Sequence, residues 1–250
     1  MVDESELIDG LRSGVRRTRE FMDMLTEYHG GPAETEYLLT SDIAREFLQK
    51  DHEVRVEALN RHFCSTLASK QVKAARSALG SKRTDVAIGQ DIMPDALVEV
   101  KIRIDNISGL RKDLEKLTDT IRFMTSHRHR KILAASVFQM HIRATKKRWK
   151  RNHFLTALNA FEEKFGVQLE KFGQSRKDFL LSLVDLQSKR DEGVVDFSYS
   201  EEPSGSKVID ADGHVTRYYA VLIKHIDHAK PPLPTGFGDL RGEQNAQDCL

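Results

Sequence analysis

Cysteine is nearly missing from this chain of 250 residues, and the two present, Cys64 and Cys249, lie far apart. They supply neither a disulfide framework nor a structural zinc site. Proline (6) and glycine (15) are also sparse, which excludes a collagen-like or stalk-like chain. The longest apolar run, near Ile132–Phe138, falls far short of the roughly 18 residues a membrane-spanning helix needs. The first residues are acidic and carry no apolar stretch, so no secretory signal is expected and the chain reads as soluble and cytoplasmic. What is abundant is charge. Lys plus Arg (39) almost balances Asp plus Glu (38), while 39% of residues are apolar, enough for a substantial core.

The balance conceals a polarity. From Asp119 to Glu162 no acidic residue intervenes, while Arg122, Arg128, Arg130, Lys131, Arg143, Lys146, Lys147, Arg148, Lys150 and Arg151 all carry positive charge. The densest part, Lys146-Lys147-Arg148-Trp149-Lys150-Arg151, joins cations to an aromatic ring. That composition suits phosphate contact, with Trp149 stacking on a base or sugar. The competing reading is a solvated loop and helix start. The histidines, including His127, His129, His225 and His228, match no zinc spacing, and no phosphate-cradling glycine loop or nucleophile elbow occurs.

Apolar periodicity predicts helices over Glu4–Tyr28, from the capping run Thr40-Ser41-Asp42, over Ala68–Leu79, from about Ser108, over Asn152–Phe165 (closing at Gly166) and over Arg176–Lys189. Strands are expected at Thr84–Ile88, Ala96–Ile102, Ile132–Ile142, Val194–Tyr199, Lys207–Ile209 and Tyr218–Ile226. Val54–Leu59 alternates like a strand, with a helical continuation as the alternative. Pro94-Asp95 reads as part of the turn between the second and third strands. The order gives an α/β class with one mixed central sheet. Three regions follow: an N-terminal helix (1–32), a main domain (33–228) and an extended or disordered tail (229–250).

Chemistry concentrates between Asp85 and Lys101. A strand places Glu99 and Lys101 on one face, with Val98, Val100 and Ile102 on the other. Antiparallel pairing across a loop near residues 92–93 sets Asp85 opposite the Glu99–Lys101 region, where facing positions lie about 4.5–5.5 Å apart. Two carboxylates at such separation suit a hard divalent cation, and a neighbouring ammonium suits water activation or charge stabilisation. A charge cluster on a solvated sheet face is the plainer alternative.

The segments Lys82-Arg83-Thr84-Asp85-Val86-Ala87-Ile88 and Leu97-Val98-Glu99-Val100-Lys101-Ile102 resemble the core signature of the PD-(D/E)XK, or restriction-endonuclease-like, nuclease superfamily. Thr84 stands where the motif's proline would be. The resemblance spans about Leu38–Ile142 and implies a mixed sheet flanked by helices, with further helices and a C-terminal β segment added. It implies Mg²⁺, or Mn²⁺ in its place, on Asp85 and Glu99 and on the backbone carbonyl of Val100, with Lys101 as the catalytic lysine. An additional glutamate near the site is a feature of many members; Glu57 and Glu46 are the alternatives. The implied function is phosphodiester hydrolysis, with DNA ahead of RNA as substrate, in a homo-oligomer or as a subunit of a larger complex. A catalytically inactive nucleic-acid-binding or assembly subunit is the rival, and a hydrolase acting on another substrate is the next.

Overall fold

The computed structural model describes residues 1–29, 36–60, 63, 73, 79, 82–90, 93–128, 131–144, 150–189, 192–195, 198–201, 207–211 and 213–226. Two helices open the chain, α1 (Glu4–His29) and α2 (Glu36–Leu48), followed by three strands, β1 (Glu53–Leu59), β2 (Arg83–Gln90) and β3 (Met93–Lys101). Helix α3 (Arg111–Arg128) crosses to β4 (Leu133–Arg143), and α4 (Arg151–Gln174) leads to β5 (Phe179–Asp185). The short strands β6 (Val194–Val195), β7 (Ser198–Glu201) and β8 (Lys207–Ala211) precede the long β9 (His214–His225). Among the described residues, no helix is long and apolar enough to cross a membrane.

The expected mixed sheet is present. Its order is β1-β2-β3-β4-β9-β5, with β6 also on β9, while β7 and β8 form a separate two-stranded sheet. Strands β3 and β4 run parallel and are joined through α3; the crossover helix is what a parallel connection requires. The other pairings are antiparallel. One sheet face packs Val86, Val98, Val100 and Val137 against Leu7, Leu11, Ile43 and Phe47 of α1 and α2. The other packs Leu97, Phe138, Tyr219 and Val221 against Leu114, Leu117, Leu158 and Phe165 of α3 and α4. Strand β3 is therefore covered on both sides, and Leu97, Val98 and Val100 are fully buried.

Several boundaries differ from expectation. Residues 176–189 do not form a helix: Phe179–Asp185 is a strand paired with β9. Its apolar residues satisfy both periods. Phe179, Leu181 and Leu183 meet the α3–α4 core, while Val184 reaches the opposite one, so a vacant place beside β9 decides the outcome. Helix α4 continues eight residues past Gly166, to Gln174, because Leu169 and Phe172 extend its apolar stripe. Helix α2 starts at Glu36, not at Thr40-Ser41-Asp42. Thr40 Oγ1 instead donates to the Glu36 carbonyl at 2.8 Å, and Asp42 accepts from Thr18 Oγ1 of α1 at 2.8 Å. Pro94 and Asp95 belong to β3, with Pro94 opposite Gly89 beyond an irregularity in the β2–β3 register. The expected Val194–Tyr199 strand is divided between β6 and β7. Most of Ala68–Leu79 and all of the 229–250 tail lie outside the described residues.

The α1–α2 contact is close because glycine permits it. A Cβ added at Gly14 would sit 2.9 Å from the Ile43 Cα, a backbone atom that cannot step aside. Gly166 in α4 is different, with nothing within 4 Å of the same position. Gly14→Ala is expected to destabilise the protein by about 1–3 kcal/mol through overpacking. Gly166→Ala should be neutral, or stabilising by up to about 1 kcal/mol through helix propensity. Paired thermal melts of the two variants check the contrast.

Candidate active site

Asp85 is carried by β2, and Glu99 and Lys101 by β3. In the β2–β3 register Val86 stands opposite Val98, which brings Asp85 level with Glu99 just beyond the paired segment. There Asp85 Oδ2 accepts the Val100 N–H at 2.7 Å. Thr84, in the motif's proline position, is buried and donates to Asn60 Oδ1 at 2.8 Å. Asn60 Nδ2 in turn donates to Thr120 Oγ1 at 3.1 Å, tying this end of β2 to α3.

Glu99 is only 1% exposed. Its Oε2 accepts from Lys116 Nζ of α3 at 2.5 Å, whereas its buried Oε1 has no hydrogen-bond partner among the described residues. Burial, reinforced by the negative charge of Asp85, pushes the Glu99 carboxyl up from 4.5 to about 8 against the pull of Lys116. Lys116 also lies 3.8 Å from Asp113 Oδ1. Asp113 is raised too, by burial opposed by Lys101 and Lys116. For Lys101 burial pulls downward, but Asp113, Glu36 and Asp85 together hold the ammonium above its ordinary value. Its Nζ donates to Glu36 Oε1 at the start of α2, 3.3 Å away. Asp85 acts on Glu99, Lys101 and Asp113 alike. The three residues expected to converge therefore share one electrostatic neighbourhood.

The other expected positions are distributed differently. Glu57 is exposed, takes a left-handed backbone with φ 52° and pairs with Arg83 at 3.8 Å. Glu46 is bound to Arg17 at 2.5 Å between α1 and α2. The charged groups that shift Glu99 are Asp85, Lys116 and Asp113. Val100 is fully buried. Lys146, Lys147, Arg148 and Trp149 lie outside the described residues; Lys150 and Arg151 are exposed at the start of α4. Asp113, Lys116 and Glu36 join the site without having been singled out in the sequence. For the helical pair a signal exists: Asp113, Lys116 and Thr120 recur at spacings of three and four beside the apolar stripe Leu110–Leu114–Leu117–Ile121. A polar row next to a core stripe points toward the sheet.

No family model, no curated protein and no solved structure matches this chain. The site is therefore judged on its own donors. Among the described residues, no group of three or more His, Cys, Asp or Glu side chains is arranged to hold a metal ion. Mg²⁺ is nevertheless commonly held by one or two carboxylates, with water and substrate oxygens completing its shell. Asp85 and Glu99, one buried oxygen of which has no partner, fit that modest requirement.

The Glu99 shift has a sign that can be tested. Unfolded, the carboxyl loses its proton near 4.5; folded, it keeps it to about 8. Between those values the native state binds more protons than the unfolded one, so this group makes stability fall as pH rises through the window. Without divalent cation, urea denaturation across that range should show the decline, and Glu99→Gln should flatten it.

Proposed function

We propose that this protein is a metal-dependent nuclease that hydrolyses phosphodiester bonds in DNA. The observation carrying the proposal is the buried Glu99 carboxylate with an unpartnered oxygen, set beside Asp85 at the end of two neighbouring strands and near the Lys101 ammonium. Burying such groups together is costly unless they are paired or bind a cation. The α/β architecture with a helix-linked parallel pair supports a restriction-endonuclease-like core, as the sequence resemblance implies.

In this reading Asp85 and Glu99 hold Mg²⁺ or Mn²⁺. Once bound, the cation supplies Lewis-acid polarisation of a phosphoryl oxygen and lowers the pKa of a coordinated water. The protein's own groups do the rest. Glu36 and Asp113 keep Lys101 charged and restrain its ammonium, which orients the attacking water and offsets negative charge growing on the scissile phosphate. Asp85, fixed by the Val100 N–H, is held in register with Glu99. Wild-type protein is expected to nick supercoiled plasmid with Mg²⁺, while Lys101→Ala loses about 100-fold or more in rate yet keeps its circular dichroism spectrum. Absence of cleavage by the wild type with either cation sinks the proposal.

One observation favours a second reading, that of a non-catalytic nucleic-acid-binding or assembly subunit. Lys116 already occupies one Glu99 oxygen and lies near Asp113, so an internal ammonium stands where a metal would. Titration calorimetry separates the two. The nuclease reading expects Mg²⁺ binding by the wild type, lost in Glu99→Gln. The subunit reading expects none from the wild type and its appearance in Lys116→Met.

A further inference from the structure

A second cluster of charge lies at the end of β4, past the end of β3. Strand β3 ends at Lys101, and two residues later Arg103 takes a left-handed backbone with φ 57°. The next residue returns to the sheet, Ile104 N–H donating to the Gln139 carbonyl of β4 at 2.8 Å. On β4 and β9, His141 stands opposite Thr216 and Arg143 opposite His214. Opposed residues share a face, as do residues two apart along a strand, so these four side chains form one patch. The imidazoles of His141 and His214 are 5.1 Å apart between ring centres. Arg103 and Arg143 are exposed, and the two histidines are half-buried.

The patch is organised. His141 Nδ1 lies 2.9 Å from Thr216 Oγ1, and its Nε2 accepts from Arg143 Nε at 3.4 Å. Accepting there puts the imidazole proton on Nδ1, in the neutral form. Burial, followed by the positive charges of His214, Arg143 and Arg103, pushes His141 down to about 4. His141 serves as a neutral prop that aims the Arg143 guanidinium while leaving its outer N–H groups for another acceptor. Two exposed arginines acting on the same imidazole fit an incoming anion, and the guanidinium fork matches phosphate oxygens in pairs.

We propose that Arg103 and Arg143, supported by His141 and His214, form a phosphate-binding rim at the end of the sheet that grips the backbone of a DNA duplex. The inference rests on the nuclease reading for its choice of ligand and names surface residues that reading does not require. Arg103 is two residues from Lys101 in the chain, while His141, Arg143 and His214 stand on the α1–α2 face of the sheet and Glu99 on the α3–α4 face. The rim lies at the carboxyl ends of the parallel strands β3 and β4, where open α/β sheets generally bind ligands.

The test is fluorescence anisotropy of a labelled DNA duplex against the full chain, without divalent cation, over a series of salt concentrations. Arg103→Ala with Arg143→Ala is expected to weaken binding by about tenfold or more and to reduce the salt slope by about one unit per arginine removed. Arg143→Lys should keep the slope while losing affinity, because charge survives without the fork. Arg12→Ala, an exposed α1 residue beside Asp9, should change nothing. Equal affinity and slope in the double variant and the wild type overturn the rim, as does a wild type that does not bind the duplex. Plasmid cleavage is scored separately. Cleavage with an unchanged double variant leaves the nuclease reading standing without the rim; rim-dependent binding with no cleavage does the reverse.

Discussion

A carboxylate buried inside a strand covered on both faces is the constraint from which the arrangement around β3 follows. Glu99 is only 1% exposed, with Lys116 of α3 on its face of the sheet and Val98 and Val100 filling the other side. An isolated charge there would be intolerable, so the neighbourhood is built to answer it. Lys116 projects from α3 to one carboxylate oxygen, Asp113 lies near that lysine, and Lys101 is restrained by Glu36 at the start of α2. Helices from opposite sides of the sheet are thereby committed to one polar centre. The unpartnered Glu99 oxygen is what remains after the protein has supplied its own compensation.

How much of this was legible follows from where each signal lies. The strand–turn–strand segment was readable because β-branched residues alternate with Glu99 and Lys101, and local spacing alone places Asp85 near them. Asp113 and Lys116 arrive through α3, and a sequence reading that treats that helix as core filler overlooks the polar row beside its apolar stripe. Glu36 was hidden because Thr40-Ser41-Asp42 imitates a helix start, while those side chains serve contacts inside the helix layer. The segment Phe179–Asp185 was misread as helix because its apolar residues fit periods of both two and 3.6, and the choice belongs to β9. Burial of the Glu99 face could not be foreseen from a pattern that looks half-solvated until a helix is laid across it.

The acidic and basic groups occupy distinct places in the same sheet. The carboxylates with their lysines lie where β2 and β3 separate, whereas Arg103, His141, Arg143 and His214 gather just past the end of β3 and along the last turns of the β4–β9 ladder. Near-zero net charge thus conceals a local separation of sign. It arises because β4 runs on to Arg143 past the end of β3, which is level with Phe138.

The outer edge of the sheet carries its own safeguard. β1 presents Glu53, Arg55 and Glu57 at alternate positions, and Glu57 twists into the left-handed region midway along the strand. An incoming strand from another molecule would find its ladder of amide and carbonyl partners interrupted there, between fixed charges of both signs. Growth of the sheet into a fibre by that margin is thereby discouraged, and a glutamate with no place in the acidic cluster acquires a use as a guard against aggregation.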